Sequence, residues 1–294
     1  MTALSTDMCI ATVVTEDFVP GALVTFHSFK KQNKWFRGDF VVIHDGLSDE
    51  SQDVFRSLFD TVRFITVSDD LSRQIDCLTD FRPDIHSRRP RFYSIECFHL
   101  REYSKVLFVD SDLLFRGDIS ELWKRSEPLI CCRDRPAYLN RGRDSRTFAL
   151  CEKSETSLNE TFNAGFLLID DQLLNDTEYQ GLLNMIAPRT WEKVTASHTD
   201  QLVLNHYFAG RQHLVDGRYN YLLTRTPMMK EIAGIRPADA VVLHFNPSTK
   251  PWQMNKLATL NPRSPEFFEA LRWWNEAWGN CLQESFFRRR LNHR

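Results

Sequence analysis

Short apolar runs that alternate with helically spaced segments constrain this chain's fold more than any other feature. Met8–Thr15 (MCIATVVT) reads as a buried strand. Residues 19–33 then carry Leu23, Phe26 and Phe29 at intervals that place them on one helix face. Asp39–His44 (DFVVIH) is a second buried strand, stopped by the turn signal Asp45-Gly46. Ser48–Phe59 reads as a helix opened by a serine whose hydroxyl can cap free backbone N–H groups. Val62–Val67 (VRFITV) is a third strand. Strands covered on both faces read as unbroken apolar runs, so this β-α-β-α-β order predicts an α/β fold with a mainly parallel central sheet flanked by helices.

The pattern continues. Lys105–Val109, Leu129–Cys132, Gly165–Ile169 and Val241–His244 read as strands. Residues 91–101, 170–186, 199–208 and 265–279 read as helices, the last with Pro265 in its first turn and Gly279 at its end. Residues 68–90 read as irregular, and 133–161 as a long polar loop of the kind that covers sites. No repeat and no linker divides the chain, so one domain with a C-terminal extension is expected.

Composition excludes several classes. With 42% hydrophobic residues and 22 Phe the chain can bury a sizeable core and is not disordered. A net charge of -2 gives no global field for nucleic acid. Arg outnumbers Lys 27 to 10, which hints at anionic ligands because guanidinium grips phosphate and carboxylate with paired hydrogen bonds. Plain surface solvation explains the same excess. The seven Cys are scattered with no CxxC, so no zinc or redox motif is offered, and Cys131-Cys132 read as buried thiols in a reducing compartment. No basic residue precedes the first apolar stretch and no run of ~18 apolar residues occurs, so a cytoplasmic location is expected. The glycosylation patterns at Asn159 and Asn175 are then expected to be unused.

The sharpest local feature is KVLFVDSD, residues 105–112. A buried strand delivers Asp110 and Asp112 at its C-terminal end, where open α/β sheets bind ligands. On extended backbone residues i and i+2 point the same way, so both carboxylates can meet one cation, magnesium or manganese. The plainer reading is a turn in which Asp caps the following backbone. Two enzyme classes use such a strand. A HAD-type phosphatase would continue with Thr or Val two residues after the second Asp, where this chain has Leu114. A nucleotide-sugar glycosyltransferase would hold a metal against a diphosphate.

Four ordered motifs then decide: YSKVLFVDSDLLFRGDISELW (103–123), FNAGFLLID (162–170), DQLVLN (200–205) and HFNPSTKPW (244–252). Together they resemble glycosyltransferase family 8, the family of glycogenin and of bacterial lipopolysaccharide galactosyl- and glucosyltransferases. The resemblance runs from about residue 8 to 255. It implies a Rossmann-like GT-A catalytic domain over 1–255, with 256–294 as an appended helix and tail. It implies a metal-dependent hexosyltransferase that moves glucose or galactose from a UDP-sugar to a saccharide or other hydroxyl acceptor, with retention at the anomeric carbon. It implies a manganese site, with magnesium as the alternative, formed by Asp110, Asp112 and His244. Lys250 falls within loop reach of the same diphosphate, where its ammonium can offset leaving-group charge. Asn163, Ala164, Ser111, Thr15 and Phe18 fall at donor- and nucleotide-binding positions. Asp200 and Gln201 fall at the catalytic positions, Gln201 near the reactive face of the anomeric carbon. An amide is a poor nucleophile, so front-face attack with Gln201 as electrostatic stabiliser is favoured. Without the resemblance, Asp200-Gln201 would read as a helix N-terminal turn.

The chain departs from the family pattern at three places. Phe18 stands where members carry Tyr, Thr15 where they have Asn or Asp, and Pro247 where they have Gly. These departures keep a second hypothesis open, a non-catalytic sugar-nucleotide binding protein on the same fold. Arg91 lies near the family's basic residue for the donor sugar but off register. Acceptor contacts are expected from loops 133–161 and 217–235. A sugar-accepting tyrosine of the glycogenin kind would be Tyr179, Tyr207, Tyr219 or Tyr221, none singled out.

In the tail, Phe267, Leu271, Trp274 and Trp278 form an apolar stripe expected to pack on the core. Phe286-Phe287 followed by Arg288, Arg289, Arg290 and Arg294 suit peripheral contact with an anionic inner-membrane face. A solvated or partner-binding tail fits the same composition.

Overall fold

The computed structural model describes residues 7–138, 160–192, 194, 199–258 and 265–292. The first three strands form where the apolar runs place them: β1 (Met8–Val13), β2 (Asp39–His44) and β3 (Val62–Thr66). Helix α1 (Val19–Gln32) follows β1, and α2 (Asp49–Leu58) follows β2. Ser48 caps α2 by accepting from the Ser51 N–H. Downstream come β4 (Lys105–Val109), β5 (Leu113–Phe115), β6 (Leu129–Arg133), β7 (Phe162–Asp170) and β8 (Gln212–Val215), then the short strands β9 (Tyr221–Leu222) and β10 (Val242–His244).

Seven strands make the central sheet in the order β3-β2-β1-β4-β7-β6-β8. All neighbours are parallel except at β7, which runs antiparallel to both β4 and β6. The α/β expectation of a mainly parallel sheet therefore holds. Side chains alternate between the two faces, as strand geometry requires. Cys9, Ala11, Val106 and Phe108 point to one face, while Ile10, Leu107 and Val109 point to the other. The second face is packed by Leu23, Phe26 and Phe29 of α1 and by Phe55 and Leu58 of α2. Complete burial of each such side chain stabilises by about 1.5–3 kcal/mol.

The first face is covered by elements the sequence reading placed differently. Residues expected to be irregular contain α3 (Asp69–Phe81), whose Leu71, Ile75 and Leu78 are buried one helical turn apart. Ser68 caps it by accepting from Leu71 N–H. Conversely, 91–101 is not an α-helix. Pro83–His99 is a run of 3-10 turns with Pro90 inside it, and Phe92, Tyr93 and Ile95 are buried without α-helical spacing. Helices α4 (Ser120–Trp123) and α5 (Arg135–Tyr138) are single turns. Helices α6 (Asp176–Ile186) and α7 (Asp200–Tyr207) complete this layer.

A second sheet has the order β5-β10-β9, with β10 antiparallel to β5 and parallel to β9. The chain leaves the large sheet at Val109 and enters the small one at Leu113, so Asp110-Ser111-Asp112 is the bridge between them. Helices α8 (Thr226–Glu231) and α9 (Met254–Ala258) flank this region.

Helix α10 (Pro265–Asn292) runs straight through Gly279, which the sequence reading took as its end. Contacts beyond that glycine hold it on α1 and α2: Cys281 is buried, Glu284 meets His27 at 3.1 Å, and Arg288 meets Asp60 at 2.8 Å. Ahead of it, Phe267 and Trp274 are buried as expected. The Arg289 side chain, Arg294, Asn159 and the greater part of loop 133–161 lie outside the described residues. No described helix is long and apolar enough to cross a membrane. Cys131 and Cys132 are buried free thiols.

Candidate active site

Two ladders build the site. The β4–β7 ladder pairs Val109 with Phe166 and continues as Asp110 N–H donates to Gly165 O at 3.1 Å. Because β7 is antiparallel, its beginning, Asn163-Ala164-Gly165, lies beside the end of β4. The β5–β10 ladder pairs His244 with Leu113, and Phe245 N–H donates to Asp112 O at 2.9 Å. This sets the imidazole beside the two carboxylates.

His244 Nε2 stands 3.1 Å from Asp112 Oδ1 and 3.5 Å from Asp110 Oδ2. Ligand atoms of the three residues lie within 4.8 Å of one another, the only such cluster among the described residues. His244 Nδ1 faces Asn220 Oδ1 at 2.8 Å, so Nδ1 carries a proton and donates, and Nε2 faces the carboxylates. Asp112 Oδ1 is buried without a hydrogen-bond partner. An Nε2 lone pair against that oxygen is repulsive unless a proton or a metal cation sits between them. Gly165 leaves room for one, since a Cβ there would come within 2.6 Å of both Asp110 Oδ2 and His244 Cε1. Two carboxylates and an imidazole thus fit a divalent cation such as magnesium or manganese.

Lys250 Nζ donates to Asp112 Oδ2 at 2.5 Å and to Phe245 O at 3.0 Å. Burial alone would raise the Asp112 carboxyl, but His244 and Lys250 beside it hold it well below the usual range. Asp110 is pushed up, chiefly by burial, with the nearby Asp112 charge adding and His244 opposing. Its side chain remains 42% exposed to the cleft, so water screens that effect. Asp200 is pushed up to about 6 by burial and then by the charge of Asp110.

The cleft around these groups encloses about 700 Å³. Every residue named in the sequence for a metal, donor or catalytic position lines it: Thr15, Phe18, Asp110, Ser111, Asp112, Asn163, Ala164, Asp200, Gln201, His244 and Lys250. Arg91, off register in the sequence, lines it too. Phe18 packs edge-on against Trp252, with ring centroids 5.4 Å apart, and Lys250 Nζ lies 5.7 Å from the Phe18 ring. Trp252 also donates to Asp17 O at 2.8 Å, closing that end of the cleft. Of the candidate acceptor tyrosines, Tyr179 and Tyr221 are buried in the core.

Sequence reading missed Asp134 and Asn220. Asp134 Oδ2 accepts from Gln201 Nε2 at 2.8 Å, and Gln201 Oε1 in turn accepts from Asn163 Nδ2 at 3.0 Å. Neither residue belongs to a motif of fixed spacing. Their one signal is that each lies at the edge of a loop named as an acceptor candidate.

Comparison with known proteins agrees with this geometry. The family model "Glycosyl transferase family 8" matches residues 9–256. Mouse glycogenin-1 is 25% identical over 300 residues, covering 94% of this chain and 77% of the relative. The lipopolysaccharide glucosyltransferase WaaO of Escherichia coli K12 is 25% identical over 284 residues, covering 91% and 79%. A crystal structure of the galactosyltransferase LgtC with donor and acceptor sugar analogues superposes with a TM-score of 0.68 at 19% identity, covering 93% of this chain and 96% of that one. With the fold, the paired carboxylates and the family model in agreement, this chain belongs to glycosyltransferase family 8, and it is a glycosyltransferase with a GT-A fold.

Proposed function

We propose that the protein transfers glucose or galactose from a UDP-sugar to a hydroxyl acceptor, a saccharide or lipid-linked glycan, with retention at the anomeric carbon. The observation that carries this reading is the convergence of Asp110, Asp112 and His244 with Asn163, Asp200, Gln201 and Lys250 in one cleft. The names of the relatives support the sugar class, since WaaO is named a glucosyltransferase and LgtC a galactosyltransferase.

In this reading Asp110, Asp112 and His244 hold manganese, with magnesium as the alternative. The bound metal would supply Lewis-acid stabilisation of the departing diphosphate. Lys250 adds a positive charge beside the same phosphates. Phe18 and Thr15 line the nucleotide end, with Ser111 between the carboxylates. Asn163 and Ala164 border the donor sugar, and Asp200 accepts from its hydroxyls. The acceptor oxygen bonds to the anomeric carbon on the face from which the phosphate departs, and a phosphate oxygen takes the acceptor's proton. Gln201 stabilises positive charge at that carbon through its carbonyl dipole.

The division into a catalytic unit, 1–255, and an appended helix and tail, 256–294, belongs to the same proposal. So does a cytoplasmic location with peripheral contact at the inner membrane face. Exposed Leu282, Phe286 and Phe287 on α10, with Arg290 stacked 5.7 Å over Phe286, support that contact.

Thermal unfolding with UDP, alone and with manganese, tests the donor site. A ligand at 100 times its Kd adds about 2.7 kcal/mol of stability. The expected result is stabilisation by UDP that needs manganese and disappears in Asp112→Asn, followed by donor hydrolysis with one UDP-hexose. If UDP has no effect with or without metal, the donor assignment is wrong. Binding without hydrolysis or transfer would make the protein a sugar-nucleotide binder.

A further inference from the structure

Five side chains form a continuous hydrogen-bonded file behind the cleft. His244 Nδ1 meets Asn220 Oδ1 at 2.8 Å, and Asn220 Nδ2 donates to Asn163 Oδ1 at 2.8 Å. Asn163 Nδ2 donates to Gln201 Oε1 at 3.0 Å, and Gln201 Nε2 donates to Asp134 Oδ2 at 2.8 Å. An amide offers a donor on one side and an acceptor on the other, so each link in such a file sets the next.

The direction of the file is fixed at three points. An ionised Asp134 can only accept, so Gln201 must turn its Nε2 toward it. Two backbone N–H groups, which can only donate, impose the same order independently. Gly165 N–H donates to Asn163 Oδ1 at 3.1 Å, and Ala164 N–H reaches Gln201 Oε1 at 3.4 Å. Asn163 Oδ1 is therefore an acceptor, which forces Asn220 to present Nδ2 to it. Asn220 is left with only Oδ1 for His244. The imidazole must then carry a proton on Nδ1, which leaves Nε2, 3.1 Å from Asp112 Oδ1, as the nitrogen able to give up its proton and ligate a cation.

We propose that Asn220 is the positioning residue of this site: its buried amide fixes the His244 tautomer and ties the imidazole to Gln201 and Asp134. The inference rests on the reading that His244 is a metal ligand, but its central claim, the tautomer, is measurable without metal. The opposite tautomer would place a proton on Nε2, donate it to Asp112 Oδ1 and remove the lone pair a cation needs. Partners on the far ring nitrogen of a ligating histidine typically change metal affinity by about 10- to 100-fold.

The test is nitrogen-15 NMR of histidine-labelled full-length protein, with calorimetric titration of Mn2+ alongside. The chain has nine histidines, so the His244 signal is assigned by its loss in His244→Gln. In EDTA, at a pH where the ring is neutral, wild type should carry its proton on Nδ1. Asn220→Leu, branched in the same shape but unable to accept, should shift the proton to Nε2 and weaken Mn2+ binding about 10- to 100-fold. Asn220→Asp keeps an acceptor for Nδ1 and should retain the tautomer, although it gives up the Nδ2 donor to Asn163.

A wild-type neutral His244 that carries its proton on Nε2 overturns the proposal. So does Asn220→Leu with wild-type tautomer and affinity, or Asn220→Asp with the proton of the neutral ring on Nε2. If Asn220→Leu does not fold, wild type and Asn220→Asp still decide. A wild type that binds no Mn2+ while showing the Nδ1–H tautomer refutes the metal-site reading and leaves the positioning role of Asn220 standing.

Discussion

Asp200 supplies a prediction in which a site residue works against the fold. The side chain begins α7 and is 9% exposed, and its carboxyl is raised from an ordinary 3.8 to about 6. Such a shift corresponds to about 3 kcal/mol of folding free energy once the group is ionised. The sign follows from proton binding. The folded protein holds this proton more tightly than the unfolded chain does, so the protonated group supports the fold in acid. That support is lost as pH rises from about 4 through about 6. Asparagine has nearly the same shape and does not titrate. Asp200→Asn should therefore be more stable than wild type at pH 8, by up to about 3 kcal/mol, and the gap should widen by about 2 kcal/mol between pH 4.5 and pH 8. The assay is urea unfolding of both proteins across that range, in EDTA so that no cation shifts Asp110 or Asp200. A gap that is constant with pH, or that narrows toward pH 8, would refute the argument that burial and the Asp110 charge raise this carboxyl. The same substitution should lower transfer while it raises stability, as expected where a buried charge is kept for function.

Gly165→Ala puts a methyl group where Asp110 Oδ2 and His244 Cε1 already stand within 2.6 Å. Mn2+ binding measured by calorimetry should fall sharply while the circular dichroism spectrum is retained, and unchanged affinity would show that this cradle does not hold the cation. Lys250→Met leaves the ionised Asp112 buried without its ammonium partner. It should cost about 3 kcal/mol in unfolding experiments in EDTA at pH 7, with Mn2+ recovering a large part of the loss. Equal stability of Lys250→Met and wild type would count against a charged contact at this point.

The parts of the fold that were legible share one property: their signal is local. β2 spans Asp39–His44 as read, because a fully buried strand is apolar from end to end. The Asp110–Asp112 pair was legible because it follows such a strand directly. Helix α3 was missed because its exposed face is crowded with Asp and Arg, although Ser68 and the Leu71, Ile75, Leu78 spacing marked it. The 83–99 segment deceived in the opposite sense. Its buried aromatic residues suggested an α-helix, but Pro83 and Pro90 break the turns. Strands as short as β5 and β9 carry no periodicity to read, whereas β10 was legible as the apolar run Val241–His244. Asn220 is invisible for a related reason, since only the close approach of β7, β10 and the turn Gly217–Asn220 turns an ordinary loop amide into a neighbour of His244.

The aromatic file of Phe18, Trp252 and Trp274 has a consequence for how the protein is made. Phe18 touches Trp252, and Trp252 lies against Trp274 of α10 at 5.9 Å. The His27–Glu284 hydrogen bond that pins the same helix to α1 joins residues 257 positions apart. At about 5–20 residues per second, roughly 10–50 s of synthesis separate the emergence of His27 from that of Glu284. Throughout that interval the outer side of α1, including Val24, waits for the Ala270 and Trp274 that will cover it. β1 and β4 can pair long before, so the carboxylate end of the cleft takes shape on the ribosome while the wall behind Phe18 does not. A nascent chain stalled before α10 therefore holds the paired carboxylates of the cleft without the closed wall behind Phe18, and on the function proposed above donor binding would await translation of that helix.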